Sequence, residues 1–97
     1  TSLAVSGNVT LPATITTPGT TGNQTINKLT GRVNIAAGGT TVTVTNSYVT
    51  ANSIIMVVAA TADATAQVKN VVPGAGSFVI NTAAVTAETA FSFLVIN

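Results

Sequence analysis

The chain has 97 residues, a formal net charge of +1 and only 5% charged side chains. Because it contains neither cysteine nor histidine, disulfide frameworks, thiolate sites and the usual zinc, copper and haem ligand sets are excluded. Most acid–base and nucleophilic catalytic arrangements are excluded with them. The basic residues are Lys28, Arg32 and Lys69. They are too few and too scattered to form a positively charged surface for nucleic acid or an anionic membrane. The composition therefore predicts a protein that is not an enzyme and that holds no cofactor or metal.

The balance of apolar and charged residues predicts one folded domain that associates with copies of itself. A chain of this length forms a single domain, and 46% apolar residues exclude intrinsic disorder. The longest apolar run, residues 54–60, is far shorter than the roughly 20 residues of a membrane-spanning helix, and no signal-peptide pattern is visible. The start at Thr1 instead of Met predicts a fragment of a longer polypeptide or a processed one. Since about 25% charge is usual, so few charges favour an obligate oligomer.

The first 21 residues predict an extended stem or arm. Their apolar residues are irregularly spaced, and Pro12 and Pro18 cannot donate to a β-ladder, so no central strand is expected there. A boundary near Gly22 separates this stem, residues 1–21, from a sandwich domain, residues 22–97. Val, Ile and Thr make up 40 of the 97 residues, and such β-branched side chains favour strands.

The sandwich domain begins with two alternating segments and an apolar one. Residues 31–36 and 41–45 alternate polar and apolar side chains, and the glycine pair Gly38 and Gly39 between them predicts a hairpin. Residues 54–60 are apolar on both faces. They predict a central strand covered on both sides, one of them by another subunit.

The second half of the domain is also predicted to consist of strands joined by turns and loops. Residues 67–71 and 77–81 are predicted strands, joined by a turn in the Pro-Gly-Ala-Gly segment 73–76. Residues 83–90 are predicted to form a loop. Residues 91–96 form the last strand, on which Phe91, Phe93 and Val95 share one face while Leu94 and Ile96 point the other way and also need cover. The fold class predicted is an all-β antiparallel sandwich of about eight short strands.

Few residues are candidates for catalysis. Asp63 and Glu88 are the two carboxylates, and nothing in the sequence brings them together as the pair that glycoside hydrolysis requires. They are better explained as solvated loop residues. An N-terminal threonine such as Thr1 can act as a nucleophile through its own amine, but no accompanying Lys and Asp constellation is visible.

Other local patterns have simpler explanations than a binding site. Asn8 and Asn23 begin glycosylation sequons, which arise easily by chance in a chain with 19 Thr. Residues 74–76 lack the lysine and the third glycine of a phosphate loop and predict a turn. Tyr48 follows a turn and is predicted to serve packing or an oligomer contact rather than sugar stacking. The apolar candidates for a trimer interface or core are Ile54, Met56, Val57, Phe91, Phe93, Leu94 and Ile96.

A series of segments from Gly19 to Asn97, about four-fifths of the chain, resembles a known family. In chain order they are GTTGNQTINK (19–28), GRVNI (31–35), VTVTNSYVT (42–50), NSII (52–55), ADAT (62–65), KNVVP (69–73), GSF (76–78), TAET (86–89) and FLVIN (93–97). Their order and the terminal segment resemble the C-terminal β-domain of tailed-bacteriophage virion proteins, which include tail fibres, tail-needle knobs and capsid fibres.

The resemblance implies a jelly-roll-like sandwich that assembles as a homotrimer at the distal tip of an elongated virion protein. Residues before Gly22 would end the stem that enters this knob and connects it to other virion proteins. The implied location is the virion, at the tail or capsid surface, with a host surface glycan or protein as a further partner. No catalytic or receptor-contact residue is shared by the family, so none is transferred. Nucleic acid and membrane insertion are not expected.

Three alternatives stay open at this stage. Within the same class, the chain is a capsid-attached head fibre or decoration protein. From other classes, it is a glycan depolymerase domain, which the shortage of carboxylates opposes, or a monomeric carbohydrate-binding module, which normally carries more exposed Trp or Tyr.

Overall fold

Two four-stranded β-sheets pack face to face in the computed structural model, which describes Gly7 and residues 10–97. The strands are β1 (Ala13–Ile15), β2 (Gln24–Thr25), β3 (Thr30–Ile35), β4 (Thr41–Thr45), β5 (Ile54–Ala59), β6 (Val68–Gly74), β7 (Ser77–Thr82) and β8 (Thr89–Ile96). Sheet A has the order β1-β3-β8-β5 and sheet B the order β2-β4-β7-β6. The all-β class is therefore confirmed. Within the described ranges no helix is long and apolar enough to cross a membrane.

Alternating side chains build the core between the sheets. In β4, β7 and β8 every second residue is buried, as expected for strands with one face on a core and one toward solvent. The buried apolar residues come from both sheets and from two connections: Ile26, Val33, Ile35, Val42, Val44, Val49, Phe78, Ile80, Val85, Phe91, Phe93 and Val95.

The last three predicted strands, residues 67–71, 77–81 and 91–96, are confirmed as β6, β7 and β8. Strands β6 and β7 form an antiparallel hairpin, but β6 continues to Gly74, so the turn occupies only residues 75 and 76 of the predicted 73–76. Gly76 there has a φ of +80°, which favours glycine. Strand β8 occupies the centre of sheet A, and its predicted inward residues Phe91, Phe93 and Val95 are buried. Residues 83–88 of the predicted loop lie outside any strand, whereas its last two residues, 89 and 90, belong to β8.

The predicted hairpin of residues 31–36 with 41–45 is wrong. Strand β3 pairs with β8 in sheet A, whereas β4 pairs with β7 in sheet B. The connection between them crosses from one sheet to the other, and the Gly38 N–H donates to the Val85 carbonyl there. An alternating pattern and a glycine pair fit a hairpin and an inter-sheet corner equally well, because partner choice depends on contacts distant in sequence.

Two further expectations are corrected. The apolar segment 54–60 forms β5, which is an edge strand of sheet A and not a central one, and alternate residues along it are exposed. The sandwich is also not wholly antiparallel, since β1 runs parallel to β3 and β2 runs parallel to β4. Both parallel strands are short edge strands. For β1, which lies in the proline-containing region, this agrees with the predicted absence of a central strand there.

Part of the predicted stem contributes to the sandwich. Residues 13–15 form β1 beside β3, and the following connection is held over sheet A by the amide of Asn34. The division into a stem, residues 1–21, and a knob, residues 22–97, stays a prediction. Of the predicted candidates, Thr1 and Asn8 lie outside the described residues.

Candidate functional site

The seven apolar candidates separate into two groups. Phe91 and Phe93 are core residues, and Val57 is half-buried and packs against the same core. The other four lie on the outer face of sheet A, where the ladder pairs Ile54 with Ile96 and Met56 with Leu94. The structure therefore brings together Ile54, Met56, Leu94 and Ile96. Of these, only Leu94 and Ile96 had been assigned to the second face by the alternation of β8.

These outward residues form an exposed apolar surface, which we call the β5 strip: Ile54, Met56 and Val58 of β5 with Leu94 and Ile96 of β8. The side chains of Ile54, Met56 and Val58 are 63%, 56% and 61% exposed, and that of Ile96 is 44% exposed. A shallow apolar depression lies within the strip, lined by Met56, Val58, Ser92, Phe93 and Leu94. Contiguous apolar exposure of this kind marks interaction sites more often than it marks solvent-facing surface.

The backbone of β5 is paired on one side only. Among the described residues no strand pairs with β5 on the side away from β8, so its peptide groups on that side have no ladder partner. Its six residues include no proline and no charge. Natural proteins usually protect edges of this length, because an exposed apolar edge strand pairs with other chains.

The second long edge, β6 of sheet B, is protected in three ways. It contains Lys69 and Pro73, and a bulge interrupts its register between Val68 and Asn70. Charge, proline and bulges are the devices that discourage edge pairing. The other edge strands, β1 and β2, have three and two residues and are too short to pair stably with a strand of another chain. Only β5, among the strands described, combines length with the lack of every such device.

The two carboxylates stabilise loops. Asp63 Oδ1 accepts hydrogen bonds from the Thr65 N–H at 2.8 Å and the Thr65 hydroxyl at 2.5 Å, and the Thr86 hydroxyl donates to Oδ2 at 3.1 Å. The hydroxyl of Thr65, then its N–H, holds the pKa of Asp63 below the usual 3.8, since donors favour the charged form. Glu88 accepts from the Gly19 N–H at 2.8 Å. In the described ranges no three carboxylates or other metal-binding side chains cluster.

Two buried asparagines were missed by the sequence analysis. Asn34 is 3% exposed, and its Nδ2 lies 3.0 Å from the Thr20 carbonyl, 3.2 Å from that of Thr17 and 3.5 Å from that of Thr16. Asn46 is fully buried and donates to the Lys28 carbonyl. The sequence did offer a signal for both: Asn34 lies within a predicted strand and Asn46 directly follows one. A buried side-chain amide at such a position needs hydrogen-bond partners. Both residues are structural.

The remaining candidates stay dispersed. Tyr48 is 51% exposed in the turn after β4, while the other aromatic side chains are core. Asn23 accepts from the Thr43 N–H, a contact that ties β2 to sheet B. Residues 75 and 76 form the turn between β6 and β7, and Gly74 is the last residue of β6. Lys28, in the connection before β3, donates to the Ala13 carbonyl of β1, and Arg32 of β3 donates to the Ser92 hydroxyl of β8.

Comparison of the chain with protein-family models, with curated protein sequences and with solved structures found no match.

Proposed function

We propose that this chain is a self-associating structural module, the trimeric tip domain of a tailed-bacteriophage fibre, spike or tail needle with a jelly-roll-like sandwich. The observation that carries the proposal is the β5 strip, an uncharged apolar surface on an unprotected edge strand. The alternative location within the same class is a fibre on the phage head.

The chemistry of the β5 strip favours a second copy of the same chain as its occupant. Strands β5 and β8 carry no charged residue, so two copies meet there without like-charge repulsion. Burying Ile54, Met56 and Val58 removes apolar area from water, which is the main driving force of association. A solitary subunit would instead expose both this area and an open strand edge.

The composition supports the same reading. A monomer with 5% charged residues has little electrostatic repulsion to keep copies apart. The trimeric state and the virion location rest on the sequence resemblance of residues 19–97 to phage tip domains. A module without cysteine is also indifferent to redox conditions outside the cell.

Contact with a host surface is part of the proposal and is assigned to the polar loops. Tyr48 is the single aromatic side chain that is exposed, so stacking on sugar rings contributes little. Recognition would depend on many weak hydrogen bonds from Thr, Asn and Ser, multiplied by three copies.

Immunogold electron microscopy tests the location. Antibodies raised against the folded chain are applied to particles of the phage whose genome encodes it, with pre-immune serum as the control. Label at the distal ends of tails or tail fibres supports the proposal, and label on the head supports the head-fibre alternative. A virion role is contradicted if intact particles carry no label and the denatured proteins of the same preparation also fail to react with the antibodies.

A further inference from the structure

The segment before β2 lies on the sandwich without contributing to its core. No side chain from Thr10 to Thr25 is buried, and the first buried residue in the described part of the chain is Ile26. Among the described residues, no apolar side chain in the core or packed against it precedes Ile26. Ile15 of β1 is 56% exposed. Apolar burial, the main driving force of folding, therefore contributes little to holding this segment in place.

Hydrogen bonds to sheet A hold the segment instead. At its start the Thr30 hydroxyl donates to the Pro12 carbonyl at 2.7 Å, and the three residues of β1 pair with β3. At its end the Gly22 N–H donates to the Asn34 carbonyl at 2.9 Å. We call residues 10–23 the N-terminal strap. The strap is attached at both ends by polar contacts.

The middle of the strap is a turn with a hydrogen bond of its own. The Thr20 N–H donates to the Thr17 carbonyl at 3.1 Å, and Gly19 between them has a φ of +95°. A proline followed by a glycine with positive φ is typical of a type II turn. The Asn34 amide donates to the carbonyls of Thr17 and Thr20. The Glu88 carboxylate accepts from the Gly19 N–H. This turn is thus also bound to the sandwich by polar contacts.

We propose that the N-terminal strap opens as one unit while the sandwich stays folded. Opening gives water access to backbone groups and to the Asn34 amide, all of which water can bond, so the net cost of each lost hydrogen bond is small. It removes no side chain of the strap from the core, whereas opening β4, β7 or β8 would expose core residues. Segments with few buried apolar contacts open at a lower free energy than the whole chain.

Asn34 is the reason to expect one unit instead of two fraying ends. Its side-chain amide lies within hydrogen-bond distance of the Thr16 carbonyl directly after β1, and its own carbonyl binds the Gly22 N–H. Both ends of the strap are therefore connected through one residue of β3. The open strap is a joint between the sandwich and the polypeptide before residue 10. In the proposed tip domain this joint lies at the end of the stem, a consequence that rests on the proposed function, unlike the opening itself.

Native-state hydrogen exchange, resolved by NMR at increasing low concentrations of denaturant, tests the opening. The amides compared are those of Thr16, which donates to the Arg32 carbonyl at 3.1 Å, and of Gly22, with the amides of β7 and β8 as the reference. We expect both strap amides to exchange at least about tenfold faster than the reference, relative to their intrinsic rates, and with a weaker dependence on denaturant. Strap amides that match the reference in rate and denaturant dependence would overturn the proposal.

Thr30→Val tests whether the strap opens as a unit, because it removes the attachment at Pro12 and keeps a β-branched side chain. We expect the Thr16 and Gly22 amides to exchange faster by the same factor, about three- to tenfold. Thr41→Val, the same change at an exposed strand position of sheet B, is the control and should leave both strap amides unchanged. Acceleration of Thr16 without Gly22 would show independent fraying and overturn the proposal. The particle mass of the same samples tests the proposed trimer separately.

Discussion

The ring of Phe93 in sheet A lies edge-on against the ring of Phe78 in sheet B, with centroids 5.0 Å apart and ring planes inclined by 65°. Such a pair contributes about 0.5–1.5 kcal/mol beyond its buried area. It joins the central strand β8 to β7 across the core. The position of the Phe93 ring also depends on its neighbour in β3, Gly31, which pairs with Phe93 in the ladder.

Gly31 leaves the space that the Phe93 ring occupies. A Cβ added there would lie 2.8 Å from two ring carbons of Phe93 and 2.9 Å from the Thr14 carbonyl oxygen. We expect Gly31→Ala to lower the free energy of unfolding by about 1–3 kcal/mol, because the core must shift to relieve the overlap. Urea denaturation followed by circular dichroism measures the change.

Gly74→Ala is the matched control for this substitution. Gly74 also lies in a strand, but an added Cβ would meet nothing closer than the Ser77 carbonyl oxygen at 3.7 Å. Its effect should stay within about 0.5 kcal/mol. Equal effects of the two substitutions would show that the overlap at Phe93 is not the cause.

Asn34 fastens the connection between β1 and β2 to sheet A. We expect Asn34→Ala to cost about 1–3 kcal/mol, because the carbonyls of Thr16, Thr17 and Thr20 lose their shared donor. Amide hydrogen exchange should speed up most in residues 14–22, near the lost contacts. Asn70→Ala, which removes a partner of Asn81 at the exposed edge, is the control and should change stability little. Uniform acceleration of exchange in Asn34→Ala would contradict a local role.

Asp63 predicts a specific loss of stability in acid. Its pKa is lower in the folded chain than the usual 3.8, chiefly because the Thr65 hydroxyl donates to it. The carboxylate therefore adds stability above the unfolded-state pKa, and this stability is lost as the pH falls through the lower folded-state pKa. Denaturation midpoints measured from about pH 5 to about pH 2 should fall less steeply in Asp63→Asn than in the unchanged chain.

Thr65→Ala separates this effect from other acid effects. It keeps the carboxylate but removes the hydroxyl donor, which is the largest cause of the lowered pKa. Its pH dependence should lie between those of the unchanged chain and Asp63→Asn. Three identical pH profiles would show that Asp63 does not contribute.

The sequence predicted local structure well and partner choice poorly. Alternation in residues 41–45 and 91–96 indicated strands and assigned Phe91 and Phe93 inward, because the two-residue period is a local property. It also assigned Leu94 and Ile96 to the second face. It did not place residues 54–60 at an edge, because an apolar run fits a buried strand and an uncovered one equally well. The hairpin error has the same origin, since sheet membership depends on β7 and β8, far along the chain.

Asn34 was missed for a related reason. Its amide has hydrogen-bond partners only because the connection between β1 and β2 lies over sheet A. No local sequence pattern predicts that position of the connection. The β5 strip was only partly predicted. Its residues were named as candidates, but the contrast with the protected edge strand β6 required the strand order of both sheets.

The mass of the chain in solution tests the central claim, that this is a self-associating subunit. Light scattering coupled to size-exclusion chromatography is run at micromolar concentration and at two salt concentrations, since an apolar interface resists salt screening. We predict a particle of three times the 9.6 kDa chain mass, unchanged by salt. A folded particle of 9.6 kDa at every concentration would contradict the account.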